Sequence, residues 1–388
     1  MYSQIPTSGD GDFTVTRNTT ATRLNDAGLI ESVASGIPRL DYFTSGGVTG
    51  CPALLVEPAA TNLCLQSEAF NTTWTRVSGG TGLLPVITAN AVVAPDGTTT
   101  ADTVVFDRGS ATSSSANFSQ LEQVINFPTS GTYTFGVYAK ATAAGDVGKQ
   151  FYIRTRNTLV AGSLTSSWVR YTSTETGLAS GSAAIYIGNR GGFTADQSVS
   201  VDLWGAQLET GSVATSYIPT TAGTGSRSAD VISVSGAVSG SIGQTEGTLY
   251  AEIVAQPYNG ASFPAILQVD DGADSQRFAI FIGPSGGIRV RFNASGVNTN
   301  SDSTNPATLV VGQTYKIAAA FGFNGSQALY INGVFQVSGS VTAGPFTAAL
   351  NRVMLGHRGG ISSPFLIRSA ALYNTRLTNT ELAALTTP

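Results

Sequence analysis

The sequence predicts an all-β protein, two tandem β-sandwiches of jelly-roll type, and three observations carry that prediction. Charged residues make up 11% of the 388 residues, less than half the share usual in globular chains. Glycine is abundant, at 45 residues, alongside much Thr, Ser and Asn. Aromatics (18 Phe, 13 Tyr and 3 Trp) are spread along most of the chain, which argues against disorder. Together these read as many short strands joined by tight turns.

Taken in order, residues 1–60 read as a short-stranded N-terminal attachment or oligomerisation segment. Phe13-Thr-Val-Thr-Arg17 alternates like a strand, Asn25-Asp-Ala-Gly28 is a turn, and Leu29-Ile-Glu-Ser-Val33 is a second short strand. Gly46-Gly-Val-Thr-Gly50 is a flexible turn. Strands this isolated cannot bury a core, so they are expected to pair with another chain or to lie across a neighbouring domain.

Residues 61–220 hold the first predicted sandwich. Thr132–Lys140 places Tyr133, Phe135, Val137 and Ala139 on one face of a half-buried strand. Phe151–Arg156, Trp168–Tyr171, Ala183–Gly188 and Ser198–Trp204 follow, with turn signals between them at sandwich spacing. Trp168 and Trp204 sit in alternating apolar patterns and are expected in the core. Residues 221–246, opening on a Thr/Gly-rich run, read as a linker.

Residues 247–388 hold the second sandwich. Gly247–Ala255 turns Leu249, Ala251 and Ile253 one way, Phe278–Gly283 is a near-continuous apolar strand, and Gly287–Phe292 alternates cleanly. Thr314–Phe321 leads into Gln327–Gln336, where Asn332-Gly333 predicts a type I′ hairpin because both residues tolerate positive φ. Asn379–Leu385 reads as one or two helical turns.

Charge narrows the function. The net charge is −4, with 20 Lys plus Arg against 24 Asp plus Glu. No basic run exists to neutralise a phosphate backbone, so no nucleic-acid partner is expected. No apolar stretch is long enough for a helix to span a bilayer, so membrane insertion is not expected either. The opening Met1-Tyr-Ser-Gln-Ile-Pro has neither the charged nor the apolar region of a secretion signal, and no classical export route is expected. Cys51 and Cys64 are therefore read as free thiols. A single histidine, His357, leaves no His-rich metal site.

Two stretches carry a resemblance. Leu54-Leu-Val-Glu-Pro-Ala-Ala-Thr-Asn-Leu63 followed by Gln66-Ser-Glu-Ala-Phe-Asn-Thr-Thr-Trp74 resembles a signature widespread in bacteriophage tail and fibre proteins. Ala94–Asp102, Tyr133–Lys140, Leu203–Glu209, Thr215–Thr220 and Arg227–Asp230 continue it in order. The family's usual Arg before Thr-Asn is Ala60 here, a departure expected to weaken one local salt bridge. The resemblance covers residues 13–230 and implies a carbohydrate-binding-module-like jelly roll. Residues 247–385 resemble the concanavalin-like lectin/glucanase and laminin-G superfamily. The carriers are Gln327–Phe335, Leu355-Gly-His-Arg-Gly359 and Ala371–Leu382.

The catalytic Glu-x-Asp-x-Glu string of the laminarinase-like branch of that superfamily is absent from the sequence, so no enzyme is expected. Candidate ligand residues remain. Asp270 and Asp271, with Asp274, follow an apolar strand; they read as a calcium or sugar-hydroxyl site, or as a turn in which Asp caps its own backbone. His357 and Arg358 lie between apolar strands, where Arg358 offers a planar fork for a carboxylate or pairs with a surface acid. Arg289 and Arg291 alternate with Ile288, Val290 and Phe292 as a basic strip that meets an anionic polysaccharide or simply solvates a sheet face.

The expectation that follows is a non-enzymatic virion protein: a tail fibre, spike or head fibre, made in the host cytoplasm and displayed on the particle. It is expected to be homotrimeric, to meet other virion proteins through its N-terminal segment, and to bind host surface polysaccharide. A capsid decoration or baseplate element without a ligand is the alternative. A polysaccharide depolymerase ranks third, because the long repeats of such spikes are missing.

Overall fold

The computed structural model describes residues 13–388 apart from 46–47, 237–238, 259–262, 274, 284, 295, 305, 307, 324–325, 340–344 and 359–360. The chain divides into two compact units. A central unit comprises residues 29–31 and 60–227; a split unit comprises 1–28, 32–59 and 228–388. The all-β prediction holds: strand follows strand, and every strand pairing given among the described residues is antiparallel.

The central unit is a sandwich of two five-stranded sheets. One runs, neighbour to neighbour, Val86–Val92, Ala101–Asp107, Ser198–Thr210, Gly131–Ala141, Val169–Leu178. The other runs Thr158–Ser163, Gln150–Thr155, Gly181–Arg190, Phe118–Phe127, Thr75–Gly79. Period-2 alternation sends Phe135, Val137, Leu203 and Leu208 of the first against Leu121, Phe151, Ile153 and Ile187 of the second, all buried. Trp74 and Trp204 are core residues; Trp74 packs 5.3 Å from Phe70 between ring centroids. Trp168 departs from its expectation. It is half-buried, its indole N–H donates to the Val93 carbonyl at 3.1 Å, and the Lys140 ammonium lies 5.1 Å over its ring.

The split unit is a sandwich of two seven-stranded sheets. The first runs Thr14–Thr16, Val231–Ser235, Arg352–Leu355, Ala265–Asp270, Arg277–Ile282, Ile288–Ala294, Val297–Asp302. The second runs Val334–Gly339, Ser326–Ile331, Thr314–Gly322, Glu246–Val254, Phe365–Tyr373, Ala53–Val56, Arg39–Asp41. Phe278 and Phe292 from the first sheet stack on Phe321 from the second, with centroids 4.6 and 5.1 Å apart. At the hairpin between Ser326–Ile331 and Val334–Gly339, Asn332 (φ 49°) and Gly333 (φ 77°) adopt the positive dihedrals that the sequence predicts. The helix Asn379–Thr386 opens on a reciprocal cap between Thr378 and Glu381 and buries Leu382 against Tyr250 and Tyr330.

Strands of segment 1–60, expected to pair with another chain or to lie across a neighbouring domain, pair here with strands of the same chain. Thr14–Thr16 pairs with Val231–Ser235, and Arg39–Asp41 and Ala53–Val56 extend the second sheet beyond Phe365–Tyr373. The residues 221–246 expected as a linker are also drawn into pairing, through Gly225–Arg227 with Ala60–Asn62 and through Val231–Ser235.

What pins the early strands is a buried charge cluster. Asp230 accepts from Arg17 Nη1 at 2.8 Å, from Arg39 Nη2, and from the Glu57 backbone N–H at 2.9 Å. Arg39 also donates to Glu57 Oε2 at 2.7 Å. All four residues are 3% exposed or less, so each charge is balanced by an opposite one rather than by water. Beside them, burial raises the Asp41 carboxyl above its ordinary range, against a hydrogen bond from the Leu24 N–H that lowers it.

Both cysteines are free; Cys51 is exposed, and burial pushes the Cys64 thiol far up. No helix among the described residues is long and apolar enough to cross a membrane.

Candidate ligand-binding face

The candidate residues of the split unit converge on the outer face of its first sheet. Along Arg277–Ile282 and Ile288–Ala294 the inward positions are Phe278, Ile280, Ile282, Ile288, Val290 and Phe292. The positions between them, Arg277, Ala279, Phe281, Arg289, Arg291 and Asn293, take the other face. Phe281 with Ala279 and Ala265 forms a small apolar island there.

Guanidinium groups roof that island. The Arg291 carbon lies 5.4 Å from the Phe281 centroid, Arg358 5.6 Å and Arg277 5.9 Å. Phe263 carries a second set, with Arg289 at 5.2 Å and Arg291 at 5.6 Å. Phe281 is fully buried, so the face presents guanidinium rather than ring. Three positive groups around one ring sit within about 12 Å of one another, close to one screening length of ~8–10 Å in physiological salt.

The neighbouring strand holds part of this array in place. Arg289 makes a two-pronged pair with Asp302, at 2.6 and 2.7 Å, and Arg291 Nε donates to Asn300 Oδ1 at 2.7 Å. The fork keeps the Asp302 carboxyl below its ordinary range and the Arg289 guanidinium above its own. Arg358 belongs to the short hairpin His357–Arg358 with Ile361–Ser362. His357 is buried, 6% exposed, which takes it away from the outer surface.

The acidic pair carries two expectations, a calcium or sugar-hydroxyl site and a turn in which Asp caps its own backbone, and Asp271 follows the second. Asp270 is fully buried, and both its oxygens take Arg352, at 2.8 and 2.9 Å; Gln268 Nε2 and the Gly272 N–H complete its partners. A carboxylate already neutralised by a guanidinium does not hold calcium. Asp271 caps its own turn, accepting from the Ser275 hydroxyl and the Ala273 N–H, which lowers its carboxyl below the ordinary range even though desolvation opposes it. Asp274 lies outside the described residues. No group of three or more His, Cys, Asp or Glu among the described residues is placed to hold a metal ion.

Phe281, Phe263 and Arg277 were not legible as site residues in the sequence. Phe278-Ala-Ile-Phe-Ile reads as continuously apolar, which hides that Ala279 and Phe281 face outward. The alternation Arg289-Val-Arg291 on the next strand is the signal that the outer face is polar.

The split unit is thus a sandwich of two packed antiparallel sheets, with the arginine face on the outside of one of them. Residues 240–383 match the family model Laminin_G_3, described as the concanavalin A-like lectin/glucanases superfamily. Among solved structures, the chain is similar to the CBM40 of the Ruminococcus gnavus IT-sialidase bound to α2,3-sialyllactose. Identity there is 21%, covering 39% of this chain and 87% of that one, with a TM-score of 0.33. It is similar also to domain 4 of AbnA, a GH43 extracellular arabinanase from Geobacillus stearothermophilus in complex with arabinotriose, at 19% identity, 41% and 73% coverage and a TM-score of 0.34. A native heptameric SAP-like pentraxin from Limulus polyphemus matches at 16% identity, 36% and 68% coverage and a TM-score of 0.30. No curated protein sequence matches the chain.

Proposed function

We propose that the protein is a non-enzymatic glycan-attachment component of a bacteriophage virion, displayed as a homotrimeric fibre or spike. In this reading the lectin sandwich holds an acidic host polysaccharide on the Arg291–Arg358 face. The observation that carries the reading is the guanidinium roof over Phe281 and Phe263. A guanidinium fixed over a ring keeps its N–H edges oriented, so less freedom is lost when a carboxylate docks. The phage assignment rests on the collinear signature from Leu54 to Asp230. Low affinity per site would be offset by several copies on one particle. The bidentate Arg289–Asp302 pair favours the alternative of a ligand-free structural module, because it satisfies one guanidinium internally.

The test is binding of the full chain to an array of neutral and acidic bacterial polysaccharides, beside an Arg291→Gln/Arg358→Gln double variant. Retention on acidic polysaccharides that falls at least tenfold in the variant supports the reading. Equal retention by both proteins, or none by either, overturns it.

A further inference from the structure

The sheet of the central unit that contains Phe118–Phe127 carries a second, separate cluster on its outer face. Cross-strand register sets three rows. Phe118 stands opposite Arg190, Gln120 opposite Gly188 and then Tyr152, and Glu122 opposite Tyr186 and then Arg154. Gly188 is required at the middle of the array. A Cβ there would lie 2.5 Å from the Ser119 carbonyl oxygen and 2.6 Å from Gln120 Cβ. The Tyr152 hydroxyl reaches past that position to donate to Gln120 Oε1. Tyr152 is 1% exposed, so it forms a floor rather than a surface. Burial pushes its phenol well above the ordinary range, against the lowering influence of the Arg190 and Arg154 charges.

The walls are two half-buried arginines, each laid on a ring: Arg190 is 4.9 Å from the Phe118 centroid and Arg154 5.0 Å from that of Tyr186. Neither pairs with a carboxylate among the described residues, and Arg190 Nε is buried with no hydrogen-bond partner. Elsewhere in the chain, Arg289, Arg352 and Arg368 each hold an acid. Glu122, half-buried in the same face, makes no ion pair among the described residues. Two guanidiniums and a carboxylate thus surround one neutral floor on this face.

We propose that this face is a second ligand site, specific for a carboxylate-bearing oligosaccharide. Arg154 and Arg190 are its carboxylate forks, and Gln120, Glu122 and Tyr186 are its hydroxyl partners. Stacking on rings leaves each guanidinium a planar donor edge, the geometry that takes a carboxylate in two parallel bonds. Tyr186, opposite Arg154, and Arg190 are four steps apart on one strand, about 14 Å at ~3.4 Å per residue, so the two forks meet different sugar units of one chain. Glu122 accepts sugar hydroxyls and repels densely charged polyanions such as phosphate or sulfate polymers. The site is independent of the Arg291 face.

The experiment is titration calorimetry of the full chain and its Arg291→Gln/Arg358→Gln variant with oligogalacturonate, oligosialate and hyaluronan oligosaccharides, each also as its methyl ester. Arg154→Gln and Arg190→Gln are compared in both backgrounds, with far-UV circular dichroism confirming that each variant folds. At least one free acid is expected to bind the Arg291→Gln/Arg358→Gln protein. Esterification, or either Arg154→Gln or Arg190→Gln, should then weaken that binding tenfold or more. No binding by any acid in that protein, equal binding of acid and ester, or indifference to both central-unit substitutions would each overturn the proposal. Loss of acid binding at the Arg291 face alone would sink the earlier reading and leave this one standing.

Discussion

Replacing Asp230 with Asn keeps the shape of the buried cluster and removes one charge from it. Arg17, Arg39, Glu57 and Asp230 sum to zero; the variant leaves a net positive charge among residues 3% exposed or less. Arg39 keeps Glu57 at 2.7 Å, but Arg17 loses its carboxylate and retains only carbonyl partners, among them Ala34 and Ile37. The new amide also sets a donor against a donor. Breaking one partner of a buried pair costs about 3–5 kcal/mol. At ~1.36 kcal/mol per decade, that is roughly two to nearly four orders of magnitude in an opening equilibrium. Hydrogen–deuterium exchange of peptides spanning Ala53–Val56 and Val231–Ser235 reads the effect where the cluster holds the strands. All three tryptophans, Trp74, Trp168 and Trp204, lie in the central unit, so urea unfolding followed by tryptophan fluorescence serves as the control. Protection in both peptides should collapse while the fluorescence midpoint stays in place. An acceleration below about tenfold, under ~1.4 kcal/mol, would refute the claim that this cluster locks the early strands.

The Arg289–Asp302 fork predicts a pH dependence of definite sign. The folded state holds the Asp302 carboxyl below its ordinary value, so the pair's contribution is complete above the unfolded carboxyl's pKa of about 3.9 and disappears as pH falls through the lower folded value. Urea midpoints of the wild type and Asp302→Asn should therefore differ at pH 6 and converge in strong acid; a constant gap would count against the assignment. The cysteines should separate cleanly with an aromatic disulfide reagent at neutral pH. Exposed Cys51 reacts at once, whereas buried Cys64, with its thiol pushed far up, reacts only on unfolding. Two fast equivalents in the native protein would contradict the burial of Cys64.

Local rules carried most of the fold. Alternation at Tyr133, Phe135 and Val137, the Asn332-Gly333 turn and the short terminal helix each depend on neighbours within a few residues, and each was readable from the sequence. Long-range pairing was not. Leu55 stands opposite Leu366 and Thr14 opposite Ser233, and nothing in a three-residue strand names a partner hundreds of positions away. Nothing in the sequence around Arg17 and Arg39 marks them for burial, which depends on Asp230, and sequence spacing cannot bring it to them. In the candidate face, Arg289, Arg291 and Arg358 were legible because they interrupt apolar patterns. Phe281 was not, since an outward phenyl in an apolar strand looks the same as an inward one.

The split layout also sets a timetable for synthesis. Ala53–Val56 leaves the ribosome more than 300 residues before Phe365–Tyr373, the strand it lies beside. At ~5–20 residues per second, that is a wait of roughly 15–60 seconds. The central unit, contiguous from residue 60 to 227 apart from 29–31, can be finished within that interval. Until then Ala53–Val56 has only Arg39–Asp41 beside it, and its other edge waits open on the nascent chain. Slowing translation through residues 228–388 would lengthen this exposure, and holdase chaperones acting on the first sixty residues would shorten it.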